Sequence, residues 1–382
     1  MNPSEPIANS AVAPARDKLL FTPGPLTTSL SVKQTMLHDV GSWHFEFNSL
    51  VGSIRNRLLD IAQVSSDDGW AAILLQGSGT YGVEAVFQTC VPVTGKVAVL
   101  TNGAYGNRMG QILARASIDH VLLRTAENQP VDPKALEDLL SKDKKITHVA
   151  MVHCETTTGI LNSIEAIGQV TLAHGKLFIV DAMSSFGAIP IDLKKCAIDF
   201  LISSANKCLE GVPGFCFILC QRQKLLACEG FARSLSLDLL DQLKGFEGNG
   251  QFRYTPPTHA ILAFDQALKE LDAEGGISAR GARYRRNHEV LCAGLAELGL
   301  HPYLDPTLQS FIITAFPFPK DPKFSFAGLY HGLSERGFII YPGKLTQLDT
   351  FRIGTIGRVF PADIQQLVLG IRSTLETMRS ST

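Results

Sequence analysis

Asp181 and Lys207 could share one chemical task, and each follows a short apolar run. Asp181 comes directly after residues 176–180, and Lys207 stands four positions after the run 200–203. Because open α/β sheets bind ligands beyond the carboxyl ends of parallel strands, we expect both side chains in one crevice. A lysine there can be desolvated, which lowers its pKa and frees the amine as a nucleophile. An ordinary Asp–Lys ion pair, or two solvated strand ends, is the alternative interpretation.

A glycine-rich turn over residues 76–82 could bind an anion in the same crevice. The turn, QGSGTYG, follows an apolar run and opens a stretch of helical period. Backbone N–H groups at a helix start bind anions well, and the hydroxyls of Ser78 and Thr80 can add hydrogen bonds. The sequence contains neither a P-loop pattern nor a nucleophile elbow. An ordinary turn between a strand and a helix is the alternative.

The same turn matches the G-x-G-x-x-G pattern of dinucleotide-binding folds at Gly77, Gly79 and Gly82. Such folds place an acidic residue at the end of the next strand, where it binds the ribose. The next predicted strand ends in VAVLTN, which has no acid, so a single phosphate monoester is favoured over a dinucleotide. A phosphate turn combined with Asp181 and Lys207 indicates a pocket for pyridoxal phosphate.

Seven short strands are predicted to alternate with stretches of helical period. The predicted strands are 72–75, 96–100, 120–123, 148–152, 176–180, 199–203 and 215–219. This alternation predicts an α/β fold in which a mostly parallel, seven-stranded sheet is covered by helices. After about Tyr254 the pattern changes to long helices and few strands, which predicts a smaller α+β domain. We expect a flexible tail over 1–17, a large cofactor-binding domain over 18–270 and a small domain over 271–382.

Composition restricts the partners of the chain. The 382 residues include 35 Lys and Arg and 36 Asp and Glu, a formal net charge of −1. This balance argues against nucleic acid or an anionic membrane, but it allows a small anion in one basic pocket. Neither a spanning segment nor a signal peptide is evident, and none of the 8 cysteines forms a C-x-x-C pair. We therefore expect a cytoplasmic protein with reduced core cysteines and no metal site.

Nine stretches of the chain resemble the pyridoxal-phosphate aminotransferases of the alanine–glyoxylate and serine–pyruvate type, which form class V. The stretches are LLFTPGPLTTS, LLQGSGTYGVEAV, TNGAYGNRM, HVAMVHCETTTGILN, IVDAMSSFGAIPID, DFLISSANKCLEGVPGFCF, TPPTHAILAF, GFIIYPGK and FRIGTIG. The resemblance implies a fold like that of aspartate aminotransferase, with pyridoxal 5'-phosphate as cofactor. The stretches HCETTTG, SSANKC and FRIGTIG are most similar to members that transaminate 2-aminoethylphosphonate with pyruvate. The segment SWHFEF departs from the more acidic stretch expected there.

The resemblance also implies a role for individual residues. Lys207 would form the Schiff base with the cofactor, and Asp181 would bond the pyridine nitrogen. The resemblance further implies three sets of cofactor contacts. The phosphate would be bound by Ser78, Gly79, Thr80 and Asn206. Tyr105 would stack on the ring face, and Thr156 would bond the ring hydroxyl. Thr255 and Thr258 match positions that contact the phosphate from the partner subunit, which implies a homodimer with shared active sites. Arg352 would anchor the anionic end of the amine donor and of the 2-oxo acid.

Several alternatives stay open at this point. Tyr105 could be a plain core or surface tyrosine, and Arg352 could form a surface salt bridge. His153 is expected to be structural, because the lysine already serves as base. The same chemistry on alanine or serine with glyoxylate or pyruvate is the nearest functional alternative, and a nicotinamide-binding oxidoreductase or a binding protein without activity are alternatives from other classes.

Overall fold

The computed structural model describes residues 17–380. The tail predicted over residues 1–17 lies, except for Asp17, outside the described residues. Between these limits the strands are β1 (Leu19–Leu20), β2 (Trp70–Gln76), β3 (Lys96–Thr101), β4 (Asp119–Arg124), β5 (Ile146–Val152), β6 (Cys154–Glu155), β7 (Ile160–Leu161), β8 (Leu177–Asp181), β9 (Phe200–Ser204), β10 (Phe215–Gln221), β11 (Ile313–Pro317), β12 (Phe338–Ile339), β13 (Tyr341–Pro342) and β14 (Thr350–Gly354).

The helices surround these strands. They are α1 (Leu30–Gln34), α2 (Phe45–Ile61), α3 (Gly79–Cys90), α4 (Ala104–Arg115), α5 (Pro133–Lys142), α6 (Ile164–Ala173), α7 (Arg222–Leu226), α8 (Leu239–Asn249), α9 (Thr258–Glu274), α10 (Gly276–Ala296), α11 (Phe326–Glu335) and α12 (Pro361–Ser380), with a 3-10 turn at Thr35–Leu37. No helix among residues 17–380 is long and apolar enough to cross a membrane.

One seven-stranded sheet contains all seven strands that the sequence predicts. Its order is β2-β10-β9-β8-β5-β3-β4, and β10 alone runs antiparallel to its neighbours. The central strands are apolar and buried along almost their whole length, as expected for a sheet covered on both faces. The predicted α/β class with a mostly parallel sheet is therefore confirmed. β5, β8 and β9 are parallel neighbours, so their C-terminal ends lie side by side at one edge of the sheet.

A smaller sheet lies in the C-terminal part, with the antiparallel order β11-β14-β13. Its apolar face packs with α10, α11 and α12 around a second hydrophobic core that includes Phe316, Leu333 and Phe351. The first strand of the described chain, β1, pairs in parallel with β12, so the N-terminal segment contacts this part as well. The division into domains over 18–270 and 271–382 stays a prediction.

The cysteines belong to the interior, as the sequence predicts. All 8 are free thiols, and Cys292 alone is more than slightly exposed. Cys216 and Cys220 lie in β10 with no exposed surface. Burial raises the pKa of Cys216 to about 12, which keeps this thiol protonated and unreactive.

A buried ion network joins the segment after Lys207 to helices α9 and α10. Glu210 is 3% exposed and accepts a 2.7 Å hydrogen bond from Nη2 of Arg283. Arg280, with no exposed surface, donates to the Cys208 carbonyl at 2.9 Å and to Glu274 at 2.6 Å. Charges buried in this way are tolerated only when each is paired. The network therefore fixes residues 208–210 against two long helices.

Removing one partner of this network should destabilise the fold. Glu210→Ala removes one of the two carboxylates that pair with the buried Arg283 at 2.7 Å and leaves its Nη2 without that partner, so we expect the free energy of unfolding to fall by about 3–5 kcal/mol. Chemical denaturation measures this change. Glu229→Ala is the matched control, because its ion pair with Lys244 is exposed and should contribute less than about 1 kcal/mol. Equal effects of the two substitutions would contradict the structural role of Glu210.

His148 in β5 gives a prediction on the pH dependence of stability. Its side chain is 2% exposed, and burial lowers its pKa to about 4. The unfolded chain takes up this proton near pH 6.5 and the folded chain only near pH 4, so stability is lost as the pH falls between these values. In chemical denaturation, the cost of His148→Gln should therefore be about 2 kcal/mol smaller at pH 5 than at pH 8. A cost that is the same at both pH values would contradict a neutral, buried His148.

Candidate active site

A cavity of about 300 Å³ opens at the edge of the large sheet where β5, β8 and β9 end. Eight residues that the sequence predicts as cofactor contacts line it together: Ser78, Gly79, Thr80, Tyr105, Thr156, Asp181, Asn206 and Lys207. Two further lining residues, Gly24 and Arg108, were not singled out by sequence reasoning, although both lie in stretches that carry the family resemblance. Residues far apart in sequence thus meet because their strands end at one edge.

Asp181 is a buried carboxylate at the end of β8. Its side chain is 7% exposed, and within the described residues the one hydrogen bond that its carboxylate accepts comes from the Met183 N–H at 2.9 Å. Burial raises the pKa of Asp181 to about 6, and the Met183 bond and the charge of Lys207 offset only part of this effect. The carboxylate therefore has free acceptor capacity toward the cavity, which suits a cationic N–H group.

Lys207 projects into the cavity from the turn after β9. Its Nζ donates a 2.8 Å hydrogen bond to the carbonyl oxygen of Pro23. Gly24, with φ of +118°, brings the backbone so close that a Cβ there would lie 2.8 Å from Nζ. Burial lowers the pKa of the Lys207 amine, although the nearby Tyr105 and Asp181 act in the opposite direction. The amine is thus held by one neutral acceptor and is easier to deprotonate than an ordinary lysine.

The glycine-rich turn places the start of α3 at the cavity. Ser78 is the N-cap residue of α3, but its side chain makes no capping hydrogen bond. The hydroxyl and the first N–H groups of the helix are therefore available to an anion, which the helix dipole also favours. Arg108 from α4 donates to Oγ1 of Thr80 at 3.4 Å and brings a positive charge to this end of the cavity. The arrangement suits a phosphate group.

Glu155 positions the start of α4 from behind the cavity. It has no exposed surface, and its carboxylate accepts hydrogen bonds from the N–H groups of Tyr105 at 3.2 Å and Gly106 at 3.1 Å. The hydroxyl of Thr157 also donates to it at 2.6 Å. Burial raises the pKa of Glu155, and these hydrogen bonds act against that shift. The sequence analysis does not assign a role to Glu155. The feature that could have pointed to it is its position as the one acidic residue of the HCETTTG stretch.

Arg352 in β14 does not line the cavity but lies beside it, in the C-terminal part of the chain. Its Nη1 donates to the carbonyl oxygen of Thr156 at 2.7 Å, and its Nε donates to that of Pro342 at 2.9 Å. The side chain is 1% exposed and forms no ion pair with any described carboxylate, so the alternative of a surface salt bridge is wrong. The guanidinium is held in one plane beside Thr156, which lines the cavity.

Three other residues discussed from the sequence lie outside this cavity. His153 is buried, its Nδ1 is 2.9 Å from Oγ of Ser185, and burial lowers its pKa to about 4, so it is neutral at neutral pH. Thr255 is exposed, and its carbonyl oxygen accepts from Nε2 of Gln76 at 3.1 Å. Thr258 begins α9 and is partly buried. Contact of these two threonines with a partner subunit's phosphate stays a prediction.

The residues present fit pyridoxal 5'-phosphate. The fit rests on three features of the cavity: an uncapped helix start for the phosphate, a carboxylate with free acceptor capacity for a protonated ring nitrogen, and a buried amine in the same cavity. Among residues 17–380 no group of three or more His, Cys, Asp or Glu is arranged to hold a metal ion.

Comparison with known proteins agrees with this geometry. The family model described as "Aminotransferase class-V" matches residues 31–344. A 2-aminoethylphosphonate–pyruvate transaminase of Salmonella heidelberg (strain SL476) is 49% identical over 367 residues, which are 96% of this chain and 100% of that protein. A protein of the same name from Syntrophobacter fumaroxidans is 49% identical over 363 residues, covering 95% of this chain and 97% of the relative.

Solved structures show the same fold. Pyridoxamine–pyruvate aminotransferase from Mesorhizobium loti has a TM-score of 0.85 at 24% identity and covers 97% of this chain and 95% of its own. Ureidoglycine–glyoxylate aminotransferase from Bacillus subtilis has a TM-score of 0.86 at 22% identity, covering 98% and 96%. The expected fold of pyridoxal-phosphate-dependent transferases is therefore confirmed. The chain belongs to the class V family of aminotransferases, enzymes that use pyridoxal 5'-phosphate to move an amino group from an amine donor to a 2-oxo acid.

Proposed function

We propose that this enzyme transfers the amino group of 2-aminoethylphosphonate to pyruvate, giving phosphonoacetaldehyde and L-alanine. The observation that carries the proposal is the meeting of Lys207 and Asp181 in one cavity, with the guanidinium of Arg352 beside it. The relatives that are 49% identical over nearly the whole chain and bear the name of this activity support the choice of substrates.

Bound pyridoxal 5'-phosphate supplies an electron sink next to the substrate nitrogen. Asp181 keeps the sink effective, because a carboxylate with a pKa of about 6 is mostly ionised at neutral pH and favours a proton on the ring nitrogen. Ser78, Thr80 and the start of α3 would bind the phosphate, and Asn206, which also lines the cavity, would reach it from beside Lys207. Tyr105 would cover one face of the ring, and Thr156 would bond the ring hydroxyl.

Lys207 moves the proton. With the cofactor bound, the Nζ of Lys207 would take a proton from the donor carbon next to nitrogen and would later give it back. The lowered pKa of this amine keeps more of it neutral and able to accept that proton than an ordinary lysine would be. After hydrolysis releases phosphonoacetaldehyde, the same amine serves the reverse transfer to pyruvate. The two substrates therefore bind in turn, which requires ping-pong kinetics.

Arg352 binds the anionic end of each substrate. Two backbone carbonyls, those of Thr156 and Pro342, fix the plane of its guanidinium before any substrate arrives. A planar fork of donors matches the oxygens of a carboxylate or a phosphonate. Since a carboxylate would also fit this group, transamination of alanine or serine with glyoxylate or pyruvate is the second candidate function. No observation favours the nicotinamide-binding alternative.

We further propose a homodimer in the cytoplasm. Leu37, Trp43 and Phe45 are 82%, 78% and 68% exposed, an amount of apolar surface that favours a protein partner. Thr255 and Thr258 would then contact the phosphate bound by the partner subunit. The 8 free thiols support a reducing compartment.

The first test is an absorption spectrum of the purified enzyme before and after addition of 2-aminoethylphosphonate alone. We expect the band of the lysine-bound cofactor to convert fully to that of the aminated cofactor, and pyruvate to restore the original band. Lys207→Ala should lose the lysine-bound band and at least about 10³-fold in turnover, because it removes the proton carrier. Conversion by alanine or serine but not by 2-aminoethylphosphonate would assign the second candidate function. A Lys207→Ala enzyme with the original band and full turnover would contradict the role of Lys207.

Glu155 gives a prediction about positioning. Glu155→Ala removes the acceptor of the N–H groups of Tyr105 and Gly106, so the ring of Tyr105 should lose its fixed place over the cofactor. We expect cofactor affinity, measured by equilibrium titration, to fall about tenfold, which corresponds to about 1.4 kcal/mol. Glu155→Gln should recover part of the affinity, because its amide oxygen still accepts. Glu165→Ala, which removes an exposed carboxylate, should have no effect, and an equal loss in both alanine variants would contradict the prediction.

A further inference from the structure

The hairpin of β13 and β14 brings a second cation, the exposed Lys344, beside the cavity. Tyr341 pairs with Arg352 in this hairpin, and the N–H of Gly343 donates to the carbonyl oxygen of Thr350 at 2.8 Å. Lys344 follows directly, and its Nζ donates to the hydroxyl of Tyr105 at 3.1 Å. Lys344 and Arg352 thus approach the site from one hairpin.

Close packing of this hairpin fixes where Lys344 leaves it. A Cβ at position 343 would overlap both the side chain and the backbone of Thr350, so only glycine allows the two strands to approach this closely. The Nζ of Lys344 lies 4.7 Å from the centre of the Tyr105 ring, within the range of a cation–π interaction. Tyr105 in turn lines the cavity. The ammonium group is therefore held at the cavity by its contact with the one aromatic residue predicted to cover the cofactor.

The positive charge of Lys344 is not neutralised by a neighbour. Within the described residues, neither Lys344 nor Arg352 forms an ion pair with a carboxylate. Lys344 donates to the hydroxyl of Tyr105, and Arg352 donates to the carbonyl oxygen of the neighbouring cavity residue Thr156. Burial alone would raise the pKa of the Tyr105 hydroxyl, but its bond with Thr156 and the charge of Lys344 bring that pKa below its ordinary value. Lys344 is exposed and solvated, whereas Arg352 is 1% exposed, and neither charge is paired with a carboxylate within residues 17–380. An anion bound beside Tyr105 could therefore pair with both cations without first displacing a carboxylate.

We propose that Lys344 is the second cation for the phosphonate group of the amine donor, and that with Arg352 it selects phosphonate over carboxylate donors. This inference rests on the proposed function. A phosphate-type group carries about −1.5 to −2 charges at pH 7 and has three acceptor oxygens, whereas a carboxylate carries −1 and has two. The fork of Arg352 can bind two oxygens, and the ammonium of Lys344 adds a point charge for the third.

The two half-reactions should depend on Lys344 differently. Pyruvate and alanine carry a single carboxylate, which the guanidinium of Arg352 can bind alone. When such a substrate is bound, the hydroxyl of Tyr105 remains available to Lys344 as a neutral partner. One site can then accept a doubly charged donor and a singly charged acceptor in turn, and the lysine contributes mainly to the first.

The test compares Lys344→Gln, Lys344→Arg and the unchanged holoenzyme. Single-turnover spectra give the apparent dissociation constants of 2-aminoethylphosphonate and L-alanine for each. Ethylphosphonate and propionate, which have no amine and cannot react, give inhibition constants that report binding alone. We expect Lys344→Gln to weaken the two phosphonates about tenfold or more and the two carboxylates less than about twofold. Lys344→Arg should restore most of the loss, since it keeps the charge.

Three outcomes would overturn the proposal: no change, an equal change for phosphonates and carboxylates, or the same change in Lys134→Gln, a matched variant of an exposed lysine in α5. Failure of the proposed function is a separate result. The unchanged enzyme would then not be converted by 2-aminoethylphosphonate at all. The ratio of the ethylphosphonate and propionate constants would still decide whether Lys344 distinguishes the two anions.

Discussion

The charge of Asp181, buried where a central strand ends, is the constraint on which the rest of the site depends. An ionised carboxylate in the protein interior is costly unless other groups compensate it. This chain supplies one N–H group, from Met183, and the more distant charges of Lys207 and Arg108. A pKa of about 6 means that this compensation is partial. Under the proposed function a protonated ring nitrogen completes it, so the carboxylate and the cofactor stabilise each other's charged form.

The position of this carboxylate explains the order of the strands around it. β8 lies between β5 and β9, so the residues that follow all three strands surround Asp181. Thr156 follows β5, Lys207 follows β9, and the turn after β2 brings Ser78 to the same edge. The ion network of Glu210 then holds the chain just beyond Lys207. The lysine is therefore fixed on both sides, by a strand before it and by a buried charge pair after it.

The sequence predicts the sheet and most of the cavity because both depend on local patterns. Apolar runs locate the seven strands, and a residue at the end of a parallel strand must lie at the ligand-binding edge. Other contacts join segments that no periodicity relates. Lys207 bonds Pro23, 184 residues away, and Arg352 bonds Thr156, 196 residues away. The buried acceptor role of Glu155 likewise depends on how α4 packs, which the sequence does not state.

Net charge and local charge lead to different conclusions in this molecule. A formal charge of −1 over the whole chain argues against a polyanionic partner, yet four cations, Arg108, Lys207, Lys344 and Arg352, lie in or beside one cavity of about 300 Å³. Two buried carboxylates, Asp181 and Glu155, belong to the same site, and Glu155 already accepts hydrogen bonds from N–H and hydroxyl groups around it. Small anions bound in the cavity would compensate this local excess of positive charge. A phosphorylated cofactor accounts for part of that charge, and a doubly charged substrate accounts for the remainder better than a singly charged one.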